Sequence, residues 1–105
     1  QEIAGQPARL LMALINEAVT ALQEGIASAR DIDLAMVAGT GFPIEKEGPL
    51  HYADALGLDQ VLGSLEKLQD NFGMRFWPAH MLRRMVDAGM TGRKAGRGFF
   101  TYEMT

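Results

Sequence analysis

Leu58-Asp59-Gln60-Val61-Leu62-Gly63-Ser64-Leu65-Glu66-Lys67-Leu68-Gln69-Asp70-Asn71-Phe72 is the most regular stretch of the chain. Its apolar residues Leu58, Val61, Leu62, Leu65, Leu68 and Phe72 recur at spacings of three and four without a miss, which lays them along one side of an α-helix. Gly73 follows as a stop. Gly63, inside the helix, costs about 1 kcal/mol against alanine, so it is expected to mark close packing.

The same period reads outward in both directions. Upstream, Gly48-Pro49 opens a helix with the proline at its first position; Leu50, Ala53 and Leu56 form its inner face and Gly57 closes it. Ser28-Ala29-Arg30-Asp31 is an earlier start signal, because Ser28 can accept the free N–H of Asp31. Asp31 and Asp33 would both complement the positive end of that helix. Ile32, Ala35 and Met36 give it a narrow apolar face, and Gly39 ends it. Residues 7–24 carry a stripe of Leu11, Leu14, Ile15, Ala18, Val19 and Leu22, with Gly25 as the stop. Downstream, Pro78 opens a fifth helix reaching Ala88, with Leu82, Met85 and Val86 apolar. Five helices and no credible sheet make the class all-α. The loop between Gly39 and Gly48 contains Phe42 and Ile44, too apolar for open solvent, so its Gly-Phe-Pro portion is expected to pack. Phe99-Phe100-Thr101-Tyr102 reads as extended.

Length and composition narrow the function classes. The chain has 105 residues, one domain's worth: residues 1–6 read as a linker or cloning remnant and 7–105 as a single domain. The chain opens on Gln1 rather than Met, which is read as a processed end or a piece of a longer protein. Cysteine is absent, which excludes disulfide scaffolds, thiolate metal sites and cysteine nucleophiles, and fits a cytoplasmic setting. A net charge of −3 gives no general footprint for nucleic acid or an anionic membrane surface. The longest uncharged apolar run, residues 10–15, is too short to span a bilayer.

Residue chemistry offers no self-sufficient active site. Ser28 is a cap, and Ser64 lacks the second glycine of a nucleophile elbow and sits mid-helix. His51 has Asp54 three residues on, so one helical face could pair them; a first-turn histidine half in solvent is the plainer reading. His80 has no acid at helical spacing. No metal-ligand spacing occurs. Gly39-Thr40-Gly41 and Gly96-Arg97-Gly98 lack the third glycine and the strand–helix setting of a dinucleotide fingerprint, so no residue is assigned to catalysis, cofactor or metal. Half of the ten basic residues fall within 83–97. There Arg93, Lys94 and Arg97 are the one local anion-binding candidate, set against the plainer reading of a solvated tail. Met74, Met81, Met85 and Met90 are either core filler or the lining of a plastic groove. Phe76-Trp77 is either a plug or a surface anchor.

Several segments in order resemble one family. They are Arg9-Leu10-Leu11 with Asn16-Glu17-Ala18; Glu24-Gly25-Ile26-Ala27-Ser28 with Asp31-Ile32-Asp33 and Ala35-Met36; Gly41-Phe42-Pro43 with Gly48-Pro49-Leu50, Ala53-Asp54 and Gly57-Leu58-Asp59; and Gly92-Arg93-Lys94 with Gly96-Arg97-Gly98-Phe99. Together, over about residues 9–102, they resemble the C-terminal helical domain of the 3-hydroxyacyl-CoA dehydrogenases. The resemblance implies an oxidoreductase of fatty-acid β-oxidation whose NAD and catalytic His–Glu pair belong to a separate Rossmann domain. The helical domain would then pack on that domain or on a tandem copy, help close the acyl-CoA cleft, support a homodimer and be inactive alone. It also makes Arg93, Lys94 and Arg97 candidates for the CoA phosphates, and Phe42, Pro43, Pro49, Leu50 and Asp54 a packing or interface motif. Ala8 stands where the family usually has an asparagine, and Gly48-Pro49-Leu50-His51-Tyr52-Ala53-Asp54 is closer to the second tandem copy of multifunctional members. The alternative is a stand-alone helical module that dimerises or binds an acyl chain without catalysis.

Overall fold

The computed structural model describes residues 6–40 and 42–102. Of the linker expected over residues 1–6, residues 1–5 lie outside the described residues, as does the glycine at 41, and Gln6 already belongs to the first helix. Five α-helices follow one another: α1 (Gln6–Gln23), α2 (Ala29–Thr40), α3 (Pro49–Leu56), α4 (Leu58–Phe72) and α5 (His80–Asp87). Short 3-10 turns occupy Ile44–Lys46, Met74–Phe76 and Arg93–Ala95. The class is all-α; among the described residues the only β pairings are two isolated bridges, Gly92 with Arg97 and Arg97 with Thr101.

The apolar stripes meet in one core. Ile15, Ala18 and Val19 of α1 pack with Ile32 of α2, Leu50 and Ala53 of α3, Leu58, Val61 and Leu65 of α4, and Leu82 and Met85 of α5. Burial at this scale supplies the main driving force for folding. Two glycine boundaries act as read: Gly57 separates α3 from α4, and Gly73 closes α4 by donating to Gln69 O; Gly39 does not end its helix, since α2 runs on to Thr40. Ser28 Oγ accepts Asp31 N–H at 3.1 Å.

Some stripe positions face outward instead. Leu56 and Phe72, each the last residue of its helix, are exposed, as are Ala35 on α2 and Ile44 in the loop. Phe42 is buried and meets Tyr52 edge-on at 6.1 Å. A period marks the apolar side of a helix but says nothing about where that helix leaves its neighbours. α5 starts at His80 rather than directly after Pro78, since Ala79 is still extended.

Gly63 does not mark close packing. A methyl group placed on it meets nothing within 4 Å, and the residue is exposed. It therefore costs helix stability with no steric return. Gly63→Ala is expected to stabilise the chain by about 0.5–1 kcal/mol, read as a higher urea midpoint at unchanged slope.

Candidate functional site

The polar centre of the molecule begins with a helix that cannot cap itself. α3 starts at Gly48-Pro49: the glycine has no side chain to offer and the proline no N–H, so the next two amides need an acceptor from elsewhere. Asp33 supplies it. Its Oδ1 accepts Leu50 N–H at 2.8 Å and its Oδ2 accepts His51 N–H at 2.9 Å. Asp33 is thus buried and serves α3, not the start of its own helix as expected. Gly48 sits so close that a side chain there would run into the Asp33 carboxylate, and its φ of 117° is itself a glycine conformation.

His51 also turns to Asp33 rather than to Asp54. Its Nδ1 lies 2.7 Å from Asp33 Oδ2, and because a carboxylate only accepts, Nδ1 carries the hydrogen. The imidazole stacks on Phe100 at 3.8 Å and 13°. The i,i+3 pairing with Asp54 fails because Asp54 is buried and fully engaged elsewhere.

Asp54 anchors the tail. Its Oδ1 accepts Phe99 N–H at 2.9 Å; its Oδ2 accepts Phe100 N–H at 3.0 Å and the Tyr102 hydroxyl at 2.7 Å. Burial is the main cause that pushes the Tyr102 phenol well above its ordinary range, and the hydrogen bond and charge of Asp54 add to it; Arg93 opposes them. Tyr102 is therefore a neutral donor throughout the physiological range. A side chain on Gly98 would strike the Asp54 carboxylate, and one on Gly92 the Asp54 backbone.

This anchoring changes the reading of the basic turn. Gly92 and Arg97 exchange backbone hydrogen bonds at 2.9 and 3.1 Å, so Arg93, Lys94 and Arg97 stand on a fixed turn and not on a flexible tail. All three are exposed, and the Arg93 guanidinium lies 5.3 Å from the Tyr102 ring centre. The turn is therefore a rigid display of three cations, able to meet an anion with little ordering cost. Phe42, Pro49, Leu50 and Asp54 are interior residues, and Pro43 is half-buried. Of the methionines, Met85 is buried and Met74 exposed, while Met81 and Met90 are intermediate. Phe76 is buried, whereas Trp77 is 49% exposed, so that pair is both plug and surface residue. His80 is exposed.

The sequence reading also missed Asn16. It is buried in α1, donates Nδ2–H to Trp77 O at 2.8 Å and accepts Ala79 N–H at 3.0 Å. Its place beside the α1 stripe and in the Asn16-Glu17-Ala18 segment gave no hint of these backbone partners.

The sequence matches the family described as 3-hydroxyacyl-CoA dehydrogenase, C-terminal domain, over residues 7–102. A probable 3-hydroxybutyryl-CoA dehydrogenase of Deinococcus radiodurans is 42% identical over 95 residues, covering 90% of this chain and 33% of that protein. The fatty acid oxidation complex subunit alpha of Shewanella loihica is 43% identical over 82 residues, which is 77% of this chain and 12% of that one. The crystal structure of (S)-3-hydroxybutyryl-CoA dehydrogenase from Ralstonia eutropha is similar with a TM-score of 0.82 at 43% identity, covering 91% of this chain and 33% of that one. The chain thus spans about a third of the length of the 3-hydroxybutyryl-CoA dehydrogenases it matches.

Removing the Asp54 anchor leaves two amides and a phenol without their acceptor. Asp54→Ala is expected to cost about 2–4 kcal/mol and to open the basic turn to trypsin, read as early cleavage in limited proteolysis. The raised Tyr102 pKa has a sign: stability it contributes is present below the ordinary phenol value of 10.0 and is lost as pH rises above it. Melting temperature should therefore fall more steeply above pH 10 in the native chain than in Tyr102→Phe.

Proposed function

The chain belongs to the 3-hydroxyacyl-CoA dehydrogenase C-terminal domain family, and from that premise we propose that it is the helical domain of an oxidoreductase acting on 3-hydroxyacyl-CoA in fatty-acid oxidation. The match over residues 7–102 carries this reading. In it the chain is inactive alone. It closes the acyl-CoA cleft beside a Rossmann-type domain, or a tandem copy, in the cytoplasm, and supports a homodimer. Apolar side chains standing in solvent support a partner: Leu10 of α1, Phe72 at the end of α4, and Met74 and Trp77 beyond it. Arg9 lies 4.5 Å over the Phe72 ring, tying the start of α1 to the end of α4.

The residues here do not fit NAD. A dinucleotide pyrophosphate rests on a glycine turn between a strand and a helix, and the described residues contain no named strand. NAD would be held by another domain, and no step of hydride transfer is assigned to this chain. Its own contribution is electrostatic: Arg93, Lys94 and Arg97, fixed by the Asp54 anchor, would meet the CoA phosphates. Exposed charge pairs are individually weak, so the three act as a set.

Two measurements test the reading. The chain alone should produce no NADH from 3-hydroxybutyryl-CoA and NAD, and turnover by it would overturn the proposal. In a polypeptide that joins it to its dehydrogenase domain, replacing Arg93, Lys94 and Arg97 together with alanine should raise the acyl-CoA KM by roughly tenfold, about 1.4 kcal/mol. kcat should change little. An unchanged KM would remove the phosphate role.

A further inference from the structure

A groove of about 460 Å³ runs between the end of α1, one face of α5 and the tail. Its size falls in the range of small-molecule sites, roughly 300–1,000 Å³. Met81, Met85 and Met90 line it together with Leu22 and Phe99. Thioether side chains are polarizable and adapt to irregular apolar guests, so this lining suits an alkyl chain.

Two cations from different segments line the same groove. Arg84 belongs to the 81-84-85-88 row of α5, the residues at i, i+3, i+4 and i+7 that form one helical face; all four border the groove. Arg97 comes from the anchored turn. Both are exposed. Among the described residues neither forms an ion pair; the pairs present are His51 with Asp33 and Arg83 with Glu66. Of the described acids that adjoin these segments in sequence, Glu24 and Asp87 are exposed and do not line the groove. An apolar floor flanked by two guanidinium groups that lack an ion-pair partner among the described residues is complementary to one class of guest: a chain that ends in an anion. The planar fork of arginine matches a carboxylate in particular.

We propose that this groove binds an alkyl carboxylate, with the chain on Met81, Met85, Met90, Leu22 and Phe99 and the carboxylate between Arg84 and Arg97. The site is separate from the basic turn's proposed phosphate role in that it needs Arg84 and not Arg93 or Lys94, and it does not rest on the dehydrogenase reading.

Methionine methyl NMR on the chain, titrated with dodecanoate, tests it. Saturable shifts should appear at Met81, Met85 and Met90 and be absent at Met12 and Met36. Arg84→Gln and Arg97→Gln together should weaken binding at least tenfold, with the helical circular dichroism unchanged, and Arg84→Gln alone should weaken it measurably. Butanoate, which lacks the chain, and dodecanol, which lacks the charge, should each bind at least tenfold more weakly than dodecanoate. No saturable shift, shifts spread over all the methionines, or equal affinity for dodecanol would overturn the proposal. Failure here with an intact effect of Arg93 and Lys94 on acyl-CoA KM would leave the proposed function standing.

Discussion

A buried carboxylate, Asp54, decides what the last part of this chain is. Its two oxygens take up the amides of Phe99 and Phe100 and the hydroxyl of Tyr102. Without those three donors the charge would be desolvated and unpaired, which is prohibitively unfavourable; without the charge the tail would have no fixed partner on α3. Each side therefore makes the other possible. Gly92 and Gly98 are the backbone's accommodation to that contact, since side chains there would occupy the space of Asp54.

Asp33 repeats the same logic one helix end away. α3 begins with two residues that cannot cap it, and the acceptor arrives from α2. His51 joins the two devices by bonding Asp33 on its Nδ1 and stacking on Phe100. α2, α3 and the tail are thus coupled through a continuous polar and aromatic path, and among the described residues no buried side-chain nitrogen or oxygen is left without a partner. The cationic turn and the methionine groove inherit their rigidity from this coupling.

Much of the fold was legible because it obeys local rules. The boundaries at Gly57 and Gly73, the Ser28 cap and the stripes of α1 and α4 follow from spacing and turn chemistry. What was illegible is long-range. Asp33 looked like a dipole partner for its own helix, yet it serves amides 17 and 18 residues away. Asp54 offered itself to His51 by helical spacing, but burial and the tail's donors won. Gly63 was read as packed because an interior glycine usually has a reason; here it faces open space. Of the candidate site, the cluster Arg93, Lys94 and Arg97 was visible as composition. Its fixed geometry was not, since the anchoring residue lies about forty positions earlier. The Gly48-Pro49 start did carry a readable hint: a helix that opens on glycine and proline needs an outside acceptor.

Asn16 has a consequence for how the chain is assembled in time. Its amide joins α1 to the backbone of Trp77 and Ala79, contacts that span 61 and 63 positions. Asp54 similarly waits for partners 45 to 48 positions on. During synthesis from the N-terminus, α1 to α3 emerge with their apolar faces and both acceptors unmatched. These contacts close only after residues 77–102 have left the ribosome. Closing such long loops is entropically slow, so a ribosome-bound chain stalled before Trp77 would hold exposed apolar helices, a form suited to chaperone capture. The backbone at Trp77 and Ala79, made long after α1, is what lets the first helix settle.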